Sequence, residues 1–170
     1  MQKSKQKTHI KNEILKNFGD KVRVRVCGIC IEQDQILVVK HQYIGQFDYL
    51  WAPPGGGMHF GESAAECLQR EFWEETGLEI TIGDFLFVHE FQNNPLHAIE
   101  LFFEVKRIGG LLHQGQDPEL SPGNQIITQV AFLSLDALKK ENPLQIHAVF
   151  RNIENLSFIL KKNGYYQSKN

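Results

Sequence analysis

Hydrophobic positions change period several times along the chain. Ile10, Ile14, Leu15 and Phe18 recur at helical spacing, which predicts a short amphipathic helix over 8–18, stopped by Gly19-Asp20, with residues 1–7 frayed. The period then shortens to two. A strand over 22–31, a turn at Gln33-Asp34-Gln35 and a strand over 36–41 read as a hairpin. Residues 42–49 form a polar and aromatic loop. Pro53 and Pro54 exclude a regular central strand, and Gly55, Gly56 and Gly57 exclude a regular helix, so the next extended piece is expected at 58–60. Helical spacing returns over about 63–76, with Glu62 and Ser63 suited to its start and Gly77 to its C-terminal cap.

Strands are predicted over 78–82, 85–91, 98–106 and 126–133, with a turn at 92–95 and a long loop over 109–124. A short helix over 135–140 and a longer one over 146–162 follow. This order predicts an α/β fold, with a central mixed β-sheet between helical layers. Residues 1–20 read as an N-terminal extension with a short helix, and 21–165 as the domain proper.

Composition narrows the function classes. The chain has 170 residues and a formal net charge of -2, so a strong electrostatic grip on long nucleic acid is not expected. It has no run of roughly 18 apolar residues and no secretory signal, so no membrane association is expected. The odd cysteine count points to a reducing, cytoplasmic setting. Cys27-Gly28-Ile29-Cys30 has Cys-x-x-Cys spacing, but on a strand residues three apart point to opposite faces, so both sulfurs read as core. His41, His59, His89, His97 and His113 lack partners at helical i, i+4 spacing, so surface or packing roles are expected for them.

The chemistry concentrates in the helix over 63–76. Each helical residue advances about 100°, so Glu74 and Glu75 fall about 60° and 40° to either side of Glu71, within one arc of about 100°. Ala65, Leu68 and Phe72 form an adjacent apolar arc, and Trp73 points away from both and is expected beneath a loop. Clustered carboxylates in the C-terminal half of a helix repel one another and oppose the helix dipole. Either the face is simply solvated, or it binds a hard cation such as Mg²⁺ or Mn²⁺. Small residues beside the arc (Ala64, Cys67) and the preceding glycines let a ligand or backbone approach.

Residues 56–78 spell Gly-x5-Glu-x7-Arg-Glu-U-x-Glu-Glu-x-Gly-U, where U is bulky and apolar, with all nine specified positions filled. On these residues, and on the approach Trp51-Ala52-Pro53-Pro54-Gly55-Gly56, the chain resembles the Nudix hydrolase family. The resemblance implies a Nudix-type α/β/α sandwich that hydrolyses a phosphoanhydride in a small nucleoside diphosphate linked to another moiety. It also implies metal ligation by Glu71 and Glu75, assisted by Glu74 and the Gly55 carbonyl. Arg70 is expected to pair with a box carboxylate and with Glu62. Glu71 is the first candidate base, and Glu119 or Asp117 in the following loop the second. Gly56, Gly57, Trp51 and Glu119 are expected near substrate, with Phe47, Tyr49 and Trp51 as a base-stacking wall or as core. Many relatives are homodimers. Pro95 is similar to a proline associated with ADP-ribose-type members. Two other readings are a noncatalytic nucleotide sensor, disfavoured by the intact carboxylates, and an isoprenoid diphosphate isomerase, disfavoured by the absence of a suitably placed cysteine.

Overall fold

A computed structural model describes residues 2–44 and 48–169, so Phe47 lies outside the described residues. Helix α1 (Gln2–Phe18) is longer than its apolar pattern, because the Lys- and Gln-rich segment before Ile10 consists of good helix formers. Residues 2–7 are therefore helical rather than frayed.

The expected first hairpin is largely absent. Strand β1 (Lys21–Ile29) ends at Cys30, and only β2 (Ile31–Glu32) turns back onto β3 (Gln35–Gln42). β1 instead pairs antiparallel with β5 (Gly55–Gly57) and parallel with β7 (Leu96–Gly110). The three glycines are thus themselves the extended piece, displacing the expectation for 58–60. A short edge strand tolerates them, and their missing side chains leave room for the helix above. β4 (Tyr49–Ala52) and β8 (Ile127–Leu133) both pair antiparallel with β3.

The two strands expected over 78–82 and 85–91 are one, β6 (Leu78–Asn93), which absorbs register shifts around Phe85 and forms a long hairpin with β7. β9 (Tyr165–Lys169), not foreseen, adds a parallel edge, giving the mixed order β5-β1-β7-β6-β9.

Alternation along β1 and β3 feeds two cores. Val26, Cys30 and Leu37 pack with Cys67, Leu68 and Phe72 of α2 (Ala64–Thr76). Cys27, Ile29, Ile36 and Val38 face Leu138 of α3 (Leu135–Lys139), Phe150 and Ile159. Cys27 and Cys30 therefore lie in different layers, and all three cysteines are free. Helical layers on both faces of the strands give the α/β/α sandwich.

The expected helix over 146–162 is instead a 3-10 turn (Ala148–Phe150) and one short helix, α4 (Ser157–Leu160). Asn152, at φ 57°, breaks the helical path. A third core joins Ile10, Ile14 and Phe18 of α1 to Leu120 and Ile126. Among the described residues, no helix is long and apolar enough to cross a membrane.

Candidate active site

Helix α2 is locked at both ends. Ser63 accepts from the Glu66 backbone N–H and Glu66 returns a bond from the Ser63 N–H, a reciprocal capping box. At the other end Gly77 adopts φ 70°, where a side chain is disfavoured. The following loop then folds back across the terminus. The N–H groups of His113, Gly115 and Gln116 donate to the carbonyls of Thr76, Glu75 and Glu74 at 2.9–3.1 Å. A Cβ on Gly115 would lie 1.8 Å from the Glu74 carbonyl oxygen, so only glycine allows this closure. These donors neutralise the helix end that otherwise disfavours the nearby carboxylates.

Glu71 and Glu75 are 7% and 5% exposed and line a cleft of about 360 Å³. Glu75 accepts from the Gly55 N–H at 2.9 Å and faces His41 Nε2 at 3.3 Å. Burial, and then the Glu75 charge, push the Glu71 carboxyl up to about 8. Glu74 does not line the cleft but meets Glu71 at a shared Arg70 Nη1.

Arg70 collects the remaining charge. Its guanidinium grips Glu62 with two bonds (2.9 and 3.2 Å), and donates to Glu71 at 2.8 Å, Glu74 at 3.0 Å and the Gly57 carbonyl at 3.1 Å. The Arg70 bond is the main reason the Glu62 carboxyl drops to about 2. Gly56 sits beneath this array. A Cβ there would lie 2.2 Å from Glu71 Oε1, within a carboxylate already held by Arg70. Gly56→Ala is therefore expected to displace the Glu71 carboxylate, reducing turnover about 100-fold at a cost of about 1 kcal/mol in stability, read by steady-state kinetics and thermal unfolding.

Two arginines from β1 line the same cleft. Arg25 donates to the Gly55 carbonyl at 2.8 Å, and Arg23 pairs with Glu119 at 3.0 Å. Their neighbours Val22 and Val24 are exposed, so this half of β1 turns its charged face inward. Deeper in the cleft, Glu100 accepts from His89 Nδ1 (2.8 Å) and from His147 Nε2 (2.9 Å), and lies 3.4 Å from Arg25 Nε. The Val149 N–H donates to His147 Nδ1, which fixes the neutral His147 tautomer with its proton on Nε2. Burial opposes ionisation of Glu100, but His147, His89 and Arg25 together outweigh it and hold the carboxyl well below the usual range.

Among the described residues, His89, Glu100 and His147 bring metal-competent atoms within 4.8 Å of one another. Their bonds to one another and the Arg25 cation make this set a closed charge network. His89 is thus neither a surface nor a simple packing histidine: its partner Glu100 lies opposite it on β7, and His147 reaches the same carboxylate from a distant segment.

Other expected positions fall differently. Trp51 is buried in the core, donates to Glu141 and does not line the cleft, and Tyr49 bonds the same carboxylate, so neither forms a stacking wall. The Gly57 carbonyl faces Arg70 and Cys67, while a Cβ on Gly57 would lie 2.6 Å from Nη2 of Arg23, which lines the cleft. Trp73 and Ala65 are exposed, and Cys67 joins Leu68 and Phe72 in the apolar layer. Asp117, Glu119 and Pro95 all line the cleft. Sequence reasoning missed Arg23, Arg25, Glu100 and His147; the one available signal was the pair of arginines spaced by two on β1.

A sequence model of the NUDIX domain matches residues 20–152. An ADP-ribose pyrophosphatase of Methanocaldococcus jannaschii is 34% identical over 96 residues, which are 55% of this chain and 56% of that protein. The chain spans about half the length of the curated relatives it matches. Among solved structures, a NUDIX hydrolase from Nitrosomonas europaea superposes with TM-score 0.63 at 19% identity, covering 76% of this chain and 84% of that one. An ADP-ribose pyrophosphatase from Streptococcus suis gives 0.55 at 21%, covering 84% and 98%. At these identities the superpositions speak to the fold.

Proposed function

The chain belongs to the NUDIX family, and from that premise we propose that it hydrolyses a phosphoanhydride bond in a nucleoside diphosphate linked to a second moiety, of ADP-ribose or sugar-nucleotide type. The observation that carries this reading is the buried pair Glu71 and Glu75 in a cleft also lined by Arg23 and Arg25. Burial, and then the Glu75 charge, raise the Glu71 carboxyl despite its Arg70 partner, and a bound cation would relieve both costs.

The donor set fits Mg²⁺ or Mn²⁺: hard oxygens from Glu71, Glu75 and the Gly55 carbonyl. Such an ion would neutralise phosphate oxygens and make a bound water acidic. The protein's own share is positioning and proton transfer. Arg25 and the Glu75–Gly55 bond hold the carbonyl and carboxylate in place. Arg70 and Glu62 hold Glu71 from behind, with Glu74 assisting through Arg70. Glu71 would take the attacking water's proton, and Arg23, oriented by Glu119, meets the substrate's phosphates across the cleft. Pro95 at the cleft wall, and the M. jannaschii relative, favour ADP-ribose among the candidates. The free cysteines suit a reducing cytoplasm.

The test is incubation with Mg²⁺ and a panel of ADP-ribose, sugar nucleotides, dinucleoside polyphosphates and nucleoside triphosphates. The expected result is preferential conversion of ADP-ribose to AMP and ribose 5-phosphate, abolished by chelation. A folded protein that converts no member of the panel contradicts the proposal.

A further inference from the structure

We propose that helix α1, outside the matched domain, positions the phosphate-binding side of the cleft by aiming Arg23 and bracing the loop that carries Glu119. This rests on the preceding functional reading. Three α1 residues contact Arg23, the Glu119 backbone and the segment that follows it. The Arg23 guanidinium lies over the Phe18 ring, 4.0 Å from its centroid. Arg23 bonds Glu119 Oε2 at 3.0 Å, and Asn17 Nδ2 donates to the Glu119 carbonyl at 2.9 Å. One turn earlier, Glu13 accepts from the Ser121 N–H (3.0 Å) and hydroxyl (2.8 Å), and also from Asn124 Nδ2.

Over 117–125 the loop closes on itself, with the Asp117 N–H donating to Gln125 Oε1 and Gln125 Nε2 donating to the Asp117 and Leu120 carbonyls, so α1 is what ties this closed unit to the arginine side of the cleft. The loop is anchored at one end by its bonds to the α2 terminus and rests on α1 through Leu120, buried with Ile10, Ile14 and Phe18. A long side chain such as Arg23 has many rotamers, and meeting an anion requires fixing one. Stacking on Phe18 and pairing with Glu119 supply that fixation before substrate arrives. Glu119 would otherwise repel a diphosphate. Paired to Arg23 it orients the cation, provided the loop stays where Asn17 and Glu13 hold it. Asn17 and Glu13 are thus positioning residues, with no contact to the reacting atoms.

The test uses Asn17→Ala and the isosteric Glu13→Gln in the full chain, with ADP and Mg²⁺ as the probe by calorimetry and amide hydrogen exchange as a second readout. Both variants are expected to bind ADP five- to tenfold more weakly. Exchange at residues 119–124 should rise at least tenfold while β1 and β7 stay protected. Arg23→Lys, which keeps the charge but not the stacked fork, should weaken ADP to a similar degree without changing exchange in the loop. Unchanged exchange at 119–124 overturns the brace, as does faster exchange with unaltered ADP affinity. Failure of the unsubstituted protein to bind ADP indicts the functional reading instead, and the exchange result alone then decides whether α1 holds the loop.

Discussion

Replacing Glu71 by glutamine is expected to lower turnover by about 10³-fold while raising the unfolding temperature of the metal-free protein by about 3 °C. The two effects share one cause. Glu71 is buried beside Glu75, and its carboxyl is pushed up to about 8 by burial and by that neighbour. In the unfolded chain the same group ionises near its ordinary value of 4.5. Between roughly pH 5 and 8 the unfolded state therefore binds fewer protons than the folded state, and stability falls as pH rises through that window. Glutamine fills the same volume, still accepts from Arg70 and carries no charge. Its gain of about 1 kcal/mol at pH 7.5 follows from removing a group that burial and the Glu75 charge force to take up a proton on folding, and the downward slope between pH 5 and 8 should flatten. Thermal unfolding of both proteins across that range, with chelator present, measures it. A Glu71→Gln protein less stable than the parent at every pH would make Glu71 a structural residue.

Arg70→Gln should act in the opposite direction, although it changes the adjacent residue. The guanidinium touches three carboxylates and one backbone carbonyl and is about a quarter exposed. Its removal leaves Glu62, Glu71 and Glu74 facing one another with no cation among them. Breaking such an ion cluster from one side costs about 3 kcal/mol, toward the low end for fully buried pairs because this one retains some solvent. Turnover should fall with it, since Glu71 loses the bond that fixes its rotamer. Arg70→Lys should lie between, keeping a charge but unable to span Glu62 and Glu71 together. Denaturant unfolding of the three proteins gives the order. An Arg70→Gln protein as stable as the parent would show that the carboxylates do not need the guanidinium.

The sequence made α2 and its glycine approach readable because every part of them is local. Helical spacing places Glu71 and Glu75 on one face, and the capping residues mark its ends. The same reasoning failed where the third dimension decides. Glu74 lies on the acidic arc, but only the folded chain shows that it meets Glu71 through Arg70 without lining the cleft. His89, Glu100 and His147 come from β6, β7 and the cap of a 3-10 turn, with no spacing to reveal them. The apolar residues from Ile146 to Ile159 keep helical intervals while the chain between them turns through Asn152 in a left-handed conformation. β9 is short, at a sheet edge and mostly exposed, so it lacks the alternation that identifies a half-buried strand.

Glu71 and Glu75 are proposed to form a divalent-cation site. Titration of the chelator-treated protein with Mn²⁺, followed by electron paramagnetic resonance of the free ion, tests this without any substrate. The account predicts Mn²⁺ binding displaced by Mg²⁺, and at least tenfold weaker binding by Glu71→Gln. Equal Mn²⁺ affinity in the two proteins would contradict it.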